Sequence, residues 1–337
     1  MRIGLALPHY DTSHAGKPFS WEGLIRVARL AEGSGFDSIW VSDHLFLDWS
    51  KYGGPDDARG TPECLTTMGA LAGLTQRVRI GSLSLCNDFR NPALLAKMIA
   101  TLDLLSEGRI DVAMGAGWYE PEYAAAGIAF SPPGERIRRL GESLQIVKRL
   151  LEGEILDFDG EHYRLKGALC RPRPHQKPRP PLWVGGKGDF LLKTAVRHAD
   201  GWNFSWLGDS ETYRARAGVA NRTCEAEGRD PQSLRRSVGI YMLVGADESD
   251  QRRRFERLAE RTPPGILQAP NSQTGVSWEA FRAKNVVGTP HEVVDRLGGL
   301  AELGVEEAIL TLGSIPFQLG DEEDVAYVGE EIVPALR

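Results

Sequence analysis

The feature that most constrains this chain is an alternation of short apolar strands and amphipathic helices that runs almost its whole length. Strand-like runs stand at 2–7, 38–41, 78–85, 110–114, 182–184, 201–205, 238–244 and 308–312, with helical periodicity between them. Ser20 opens a helix whose Leu24, Val27, Ala28 and Ala31 recur on one stripe, and Gly33 and Gly35 stop it. Asn91-Pro92 starts a helix through about Leu105, and after Pro132-Pro133 a second long stripe carries Ile137, Leu140, Leu144, Val147 and Leu151. Thr289-Pro290 begins another. Eight strands at roughly forty residues per unit fit a (β/α)8 TIM barrel with insertions better than an open doubly wound sheet with a separate cap, which is the alternative. The chain is read as one domain over 1–337. Its insertions fall near 45–61, a polar loop; near 153–181, a hairpin turning on Asp159-Gly160 and then a proline-rich run; and near 262–285, where prolines, glycines and polar residues without periodicity predict a lid or long loop.

Composition removes several function classes. The formal net charge of -6, with both signs interspersed, builds no field for nucleic acid or an anionic membrane, so small-molecule partners are expected. No apolar run approaches the ~20 residues that span a bilayer. The segment after Met1 lacks the ordered parts of a signal peptide, and the expected location is cytoplasmic. Cys64, Cys86, Cys170 and Cys224 form no Cys-x-x-Cys pair and are read as small hydrophobes. With His162, His175, His198 and His291 scattered, no metal site is expected. The Arg252-Arg253-Arg254 run is read as a solvated helix face.

In a barrel of this kind ligands bind where the strands end at their carboxyl sides. That rule gathers His44, Ser84, Gly115, Gly117, Gly185, Gly186 and Ser205 to one mouth. Gly115-Ala116-Gly117 removes two Cβ atoms where the backbone leaves a strand, so a ligand can touch main chain there. A plain strand-to-helix turn has the same pattern, and the third glycine of a dinucleotide fingerprint is missing. His9, His14, Trp49, Tyr52, Cys86, Asn87 and Asp88 follow the first three strands and are weaker mouth candidates, Trp49 and Asn87 as substrate contacts. Glu120 and Glu122 are read as capping the turn after strand four rather than as paired catalytic carboxylates.

Several motifs stand in order: Ser42-Asp43-His44, Arg90-Asn91-Pro92, Ser106-Glu107-Gly108-Arg109 leading into Gly115-Ala116-Gly117-Trp118, and Asp157-Phe158-Asp159-Gly160 with Tyr163. Pro180-Pro181-Leu182-Trp183-Val184-Gly185-Gly186 and Asp200-Gly201-Trp202-Asn203 follow. Together they resemble the luciferase-like monooxygenase superfamily, and specifically its branch of oxidoreductases that use coenzyme F420. The match covers about residues 1–205 and, more loosely, the last fifty or so. The resemblance implies a (β/α)8 barrel, a homodimer, and a deazaflavin or flavin mononucleotide (FMN) at the carboxyl end.

Position by position, the resemblance puts Asp43 and His44 beside the reactive ring and makes strand three bulge near Ser82–Leu85, with Ser82, Leu83 and Ser84 backing the ring. Gly115, Ala116 and Gly117 would flank the ring. Gly185, Gly186 and Ser205 would stand near the ribityl chain and phosphate, with Lys187 adding charge. His44 is the expected proton partner, and Asp43 would orient it or the ring. Trp118 occupies a position where the sugar-phosphate dehydrogenases of this family carry a glutamate used as acid, and an aromatic wall there points to an apolar or planar substrate. The expected activity is hydride transfer between F420 and a small organic substrate. The alternative is a monooxygenase using reduced FMN and oxygen. A third reading is a barrel that stores or senses flavin without turnover.

Overall fold

The computed structural model describes residues 1–207, 210–267 and 277–337. Eight parallel strands close on themselves in sequence order: β1 (Arg2–Ala6), β2 (Ser38–Val41), β3 (Arg79–Cys86), β4 (Ile110–Gly115), β5 (Leu182–Gly185), β6 (Gly201–Leu207), β7 (Arg235–Val244) and β8 (Glu307–Thr311). Closure is made where β8 pairs with β1, Arg2 opposite Glu307 and Leu5 opposite Leu310. The fold is the (β/α)8 barrel that the alternation predicts.

The period-two alternation of each strand sorts its side chains between two compartments. Ile3, Leu5, Ile39, Val41, Ile80, Ile110, Val112, Leu182, Val184, Ala308 and Leu310 face outward into the layer shared with the helices. Ala6, Trp40, Leu83, Ala113, Trp183 and Ile309 fill the barrel interior. The interior is packed by pairing indoles with glycines on the neighbouring strands. A Cβ on Gly4 would meet the Trp40 indole nitrogen, one on Gly81 the Trp40 ring, and one on Gly201 the Trp183 ring.

The helices that cover this barrel are α1 (Trp21–Gly33), α2 (Cys64–Leu74), α3 (Pro92–Leu105), the short α4 (Glu120–Ala125), α5 (Pro133–Leu151), α6 (Asp189–His198), α7 (Ser210–Ala226), α8 (Glu248–Arg261), α9 (Trp278–Lys284), α10 (Pro290–Glu302) and α11 (Glu322–Glu331). Their starts are written in side chains. Ser20 accepts from the Gly23 amide and Asn91 from the Ala93 amide, while Thr289 and Glu292 close a capping box. The predicted hairpin is present, Leu156–Asp159 against Arg164–Ala168. The four cysteines are buried and unpaired.

Two local readings are corrected. The 262–285 stretch is not wholly loop. Ser277 caps α9, and Trp278 and Phe281 bury against Phe255 of α8 with ring centroids 5.6 and 5.0 Å away. Two apolar residues three apart are too few to register as a periodic pattern, and residues 268–276 lie outside the described residues. In the arginine run, Arg252 and Arg253 are exposed, but Arg254 pairs with Asp250 on its own helix and with Asp324 on α11, tying the two helices together. No helix among the described residues is long and apolar enough to cross a membrane.

Candidate active site

The carboxyl ends of the strands open on a cavity of about 430 Å³. That is within the usual size for a small-molecule site. It is lined by Tyr10 after β1; Ser42, Asp43 and His44 after β2; Leu83, Ser84 and Cys86 of β3; Gly115 to Trp118 after β4; Gly185 to Lys187 after β5; Ser205 and Trp206 of β6; and Pro316 and Phe317 after β8. Leu47, Lys51, Tyr52, Glu122 and Leu191 complete the wall. Of the predicted residues, His44, Asp43, Leu83, Ser84, Gly115, Ala116, Gly117, Gly185, Gly186, Lys187, Ser205 and Trp118 therefore meet at one mouth.

Three do not. Ser82 is buried between strands, its hydroxyl donating to the Ala113 carbonyl and accepting from the Ala113 amide. Trp49 is fully buried and packs edge-on against Tyr10 at 5.4 Å rather than lining the cavity. Asn87 is buried beside Asp88 and Tyr163, off the lining. Of the weaker mouth candidates, Tyr52 and Cys86 line the cavity, His9 and Asp88 lie off it, and His14 is drawn to Glu322.

Asp43 and His44 are neighbours in sequence, yet the structure gives them separate partners. The Asp43 carboxylate accepts two bonds from the Arg90 guanidinium, at 2.6 and 2.9 Å, and one from the Cys86 amide at 2.8 Å. It pins the end of β2 to the loop before α3 and does not hold His44. His44 is held by Glu122. Its Nδ1–H donates to Glu122 Oε1 at 2.9 Å, and the Leu45 amide donates to Oε2 at the same distance. Glu120 on the same short helix is exposed, whereas Glu122 is 2% exposed. The sequence reading of Glu122 as a cap is thus replaced by an internal role. With Nδ1 committed to a carboxylate, the proton sits there and Nε2 is the atom available to a ligand. Trp118 stands edge-on to the His44 ring, centroids 5.4 Å apart.

Beneath this pair lies a buried polar chain of which the sequence offers only His9, as a weaker mouth candidate. His9 Nδ1–H donates to the Leu7 carbonyl at 2.7 Å, and its Nε2 accepts from the Ser42 amide at 3.1 Å, which fixes the tautomer. The Ser42 hydroxyl lies 2.8 Å from the same nitrogen and also contacts the Tyr10 hydroxyl. Burial pushes the His9 pKa down to about 4, so the imidazole is neutral, and burial likewise raises that of Tyr10.

The glycine turn is dictated by what backs it. Gly117 has φ +71°, and a Cβ there would fall on the Tyr123 hydroxyl; a Cβ on Gly115 would meet the Ser84 hydroxyl. The pairing of β3 with β4 shifts register between Ser82 and Leu85, so strand three carries the bulge that the resemblance implies. Across the cavity, α6 begins at Gly188 with no side-chain cap, next to Lys187 and the Ser205 hydroxyl. Uncapped amides, an ammonium and a hydroxyl form a donor set suited to a phosphate. A flat ring between the bulge and the glycine turn, with an anionic arm toward α6, fits the residues present.

A family model for luciferase-like monooxygenases matches residues 1–307. The chain belongs to the luciferase-like monooxygenase family. Within it, an F420-dependent glucose-6-phosphate dehydrogenase of Microbacterium testaceum (strain StLB037) is 28% identical, over 96% of this chain and 96% of its own length. An FMNH2-dependent dimethylsulfone monooxygenase of Pseudomonas putida is 25% identical, over 93% of this chain and 87% of its own. Among solved structures, an F420-dependent secondary alcohol dehydrogenase in complex with an F420-acetone adduct aligns with a TM-score of 0.74 and 23% identity, over 100% of this chain and 99% of that one. The last likeness is one of fold.

Proposed function

We infer that this protein is an oxidoreductase that moves a hydride between coenzyme F420 and a small organic substrate. The observation that carries the reading is the His44–Glu122 couple at the mouth of a cavity whose far wall suits a phosphate, in a chain that aligns almost end to end with an F420-dependent relative. When bound, F420 supplies a deazaflavin ring that takes or gives a hydride. The protein supplies the proton step. Glu122 fixes the ring and tautomer of His44, leaving Nε2 to take a proton from the substrate or return it. Leu83, Ser84 and the Gly115-Ala116-Gly117 turn bracket the ring, and Ser82 and Asp43 support that bracket from behind. Gly185, Gly186, Lys187 and Ser205 take the phosphate side. Trp118 forms the substrate wall.

The second reading, an FMN-dependent monooxygenase, is favoured by the Pseudomonas putida relative of similar coverage. Fluorescence titration of the apo-protein with F420 and with FMN separates the two. Tight F420 and weak FMN binding supports the first, and the reverse order overturns it.

We also read the chain as one domain, its insertions following β2, α5 and α8. Exposed Leu94 and Leu105 on α3, with Ile155 and Leu169 at the ends of the hairpin, supply apolar surface consistent with a homodimer. Four buried free thiols suit a cytoplasmic location.

A further inference from the structure

Every carboxylate that lines the cavity is already committed: Asp43 to Arg90 and the Cys86 amide, Glu122 to His44 and the Leu45 amide. The lining also carries two ammonium groups, and neither forms an ion pair among the described residues. Lys187 Nζ donates to the Trp206 carbonyl at 2.9 Å. Lys51 Nζ lies over the face of Trp118, 3.5 Å from the ring centroid. Lys51 and Trp118 are both exposed at the rim, and the contact with the indole face keeps the ammonium over the mouth.

We propose that Lys51 is the anion-recognising residue of the substrate subsite, and that the substrate carries a carboxylate, sulfonate or phosphate group. The proposal rests on the oxidoreductase reading and names its substrate class. Lys51 and Lys187 share one mouth whose two carboxylates are both committed elsewhere; desolvation, and after it the charge of Lys187, lower the Lys51 pKa. Like charges left facing each other at a concave site attract a ligand of opposite sign. The cofactor's phosphate is met by Lys187, beside Gly185, Gly186 and Ser205. Lys51 serves the other wall, because the indole beneath it is the one that stands edge-on to His44. A substrate anion on Lys51 is therefore one indole away from the group that moves its proton, and Tyr52 and Phe317 line the cavity around the rest of the molecule.

The test is calorimetric. F420-saturated full-length protein is titrated at low salt with benzoate and, separately, with benzyl alcohol, a neutral probe of similar size; F420 affinity is measured on the apo-protein by fluorescence. The expected result is that benzoate binds about tenfold more tightly than benzyl alcohol. Lys51→Met should bring the two within about twofold, Lys51→Arg should keep the preference, and F420 affinity should be unchanged in both. A benzoate preference that survives Lys51→Met overturns the proposal. So does a Lys51→Met variant that loses F420 affinity, since the anion met by Lys51 is then the cofactor's own arm. If wild-type protein fails to bind F420, the oxidoreductase reading falls separately. The same benzoate comparison on FMN-saturated protein then decides Lys51 by the same criterion.

Discussion

Replacing Glu122 with glutamine tests whether the His44 tautomer, rather than the mere presence of an imidazole, sets the proton step. In the native site one carboxylate accepts from two donors, His44 Nδ1–H and the Leu45 amide, each at 2.9 Å. A glutamine has one acceptor and one donor end. The Leu45 amide can only donate, so it keeps the carbonyl oxygen and the new NH2 faces His44 Nδ1. That nitrogen must then accept, and the imidazole proton moves to Nε2. A neutral His44 protonated at Nε2 cannot take a proton from a substrate. The loss expected is that of a general base, about 10²–10⁴-fold in turnover or about 3–5 kcal/mol of barrier. Folding stability should fall much less, by about 1–2 kcal/mol, because both contacts survive as neutral hydrogen bonds instead of charge-assisted ones. Imidazole nitrogen NMR on the apo-protein, at a pH where His44 is neutral, reads the tautomer without needing a substrate; F420 fluorescence then reads turnover. A variant in which His44 still carries its proton on Nδ1, or which turns over within about threefold of wild type, would refute the reasoning.

Three further outcomes follow from the geometry. His9 is neutral in the native state with a pKa of about 4 against 6.5 for the free side chain, so between those values the unfolded chain binds a proton that the folded chain does not. Stability therefore falls as pH drops from about 6.5, by about 3 kcal/mol in total at pH 4. Urea midpoints at several pH values should show a shallower slope for His9→Gln, and an equal slope would contradict the assignment. Gly117→Ala should cost about 2–4 kcal/mol, part from a left-handed backbone with a Cβ and part from collision with Tyr123. Adding Tyr123→Phe should return the second part in urea unfolding, and no recovery would show that Tyr123 is not what excludes the methyl. Arg90→Met leaves Asp43 buried without its cation and should destabilise by about 3–5 kcal/mol, with wild-type urea stability as the contrary result.

The barrel was legible because alternation, caps and stop signals agree along the chain. Leu24, Val27, Ala28 and Ala31 fix the inner face of α1, and Ser20 and Asn91 cap the helices they were read to cap. The cavity wall was legible because strand ends must converge in a closed barrel. The interior was harder. Gly4, Gly81 and Gly201 look like weaknesses in strands, and only the neighbouring strand supplies the indole that explains each. The same holds for the active site. The resemblance makes Asp43 orient either His44 or the ring, but residues one apart on an extended segment send their side chains to opposite faces. Asp43 turns to Arg90, and the partner of His44 comes from 78 positions away. Nothing local separates Glu122 from Glu120. The choice is made by the rotation of a six-residue helix against the mouth, a tertiary fact. Trp49 fails for the complementary reason: a large aromatic in a mouth loop buries more surface as packing against Tyr10 and Tyr52 than it would as a cavity wall.

The two ends of the barrel show how the chain can hold charge without holding chemistry. At the amino end, Glu307 is fully buried, paired with Arg2 at 2.6 Å and bonded by the Ser38 hydroxyl; burial raises its pKa while Arg2 opposes the rise. Asp111 is equally buried and meets Arg79, which also donates to the carbonyls of Gly108 and Ile110. Each carboxylate there has a guanidinium from the neighbouring barrel strand, and Arg79 is further bonded to backbone acceptors. At the carboxyl end the carboxylates are paired as well, but His44 Nε2 and the ammonium of Lys51 are not. At the carboxyl mouth an imidazole nitrogen and an ammonium stand together without a hydrogen bond among the described residues. That pairing supports the proposal that a substrate is bound and a proton moved at the carboxyl mouth, whereas at the amino end the ion pairs Arg2–Glu307 and Arg79–Asp111 each link neighbouring strands.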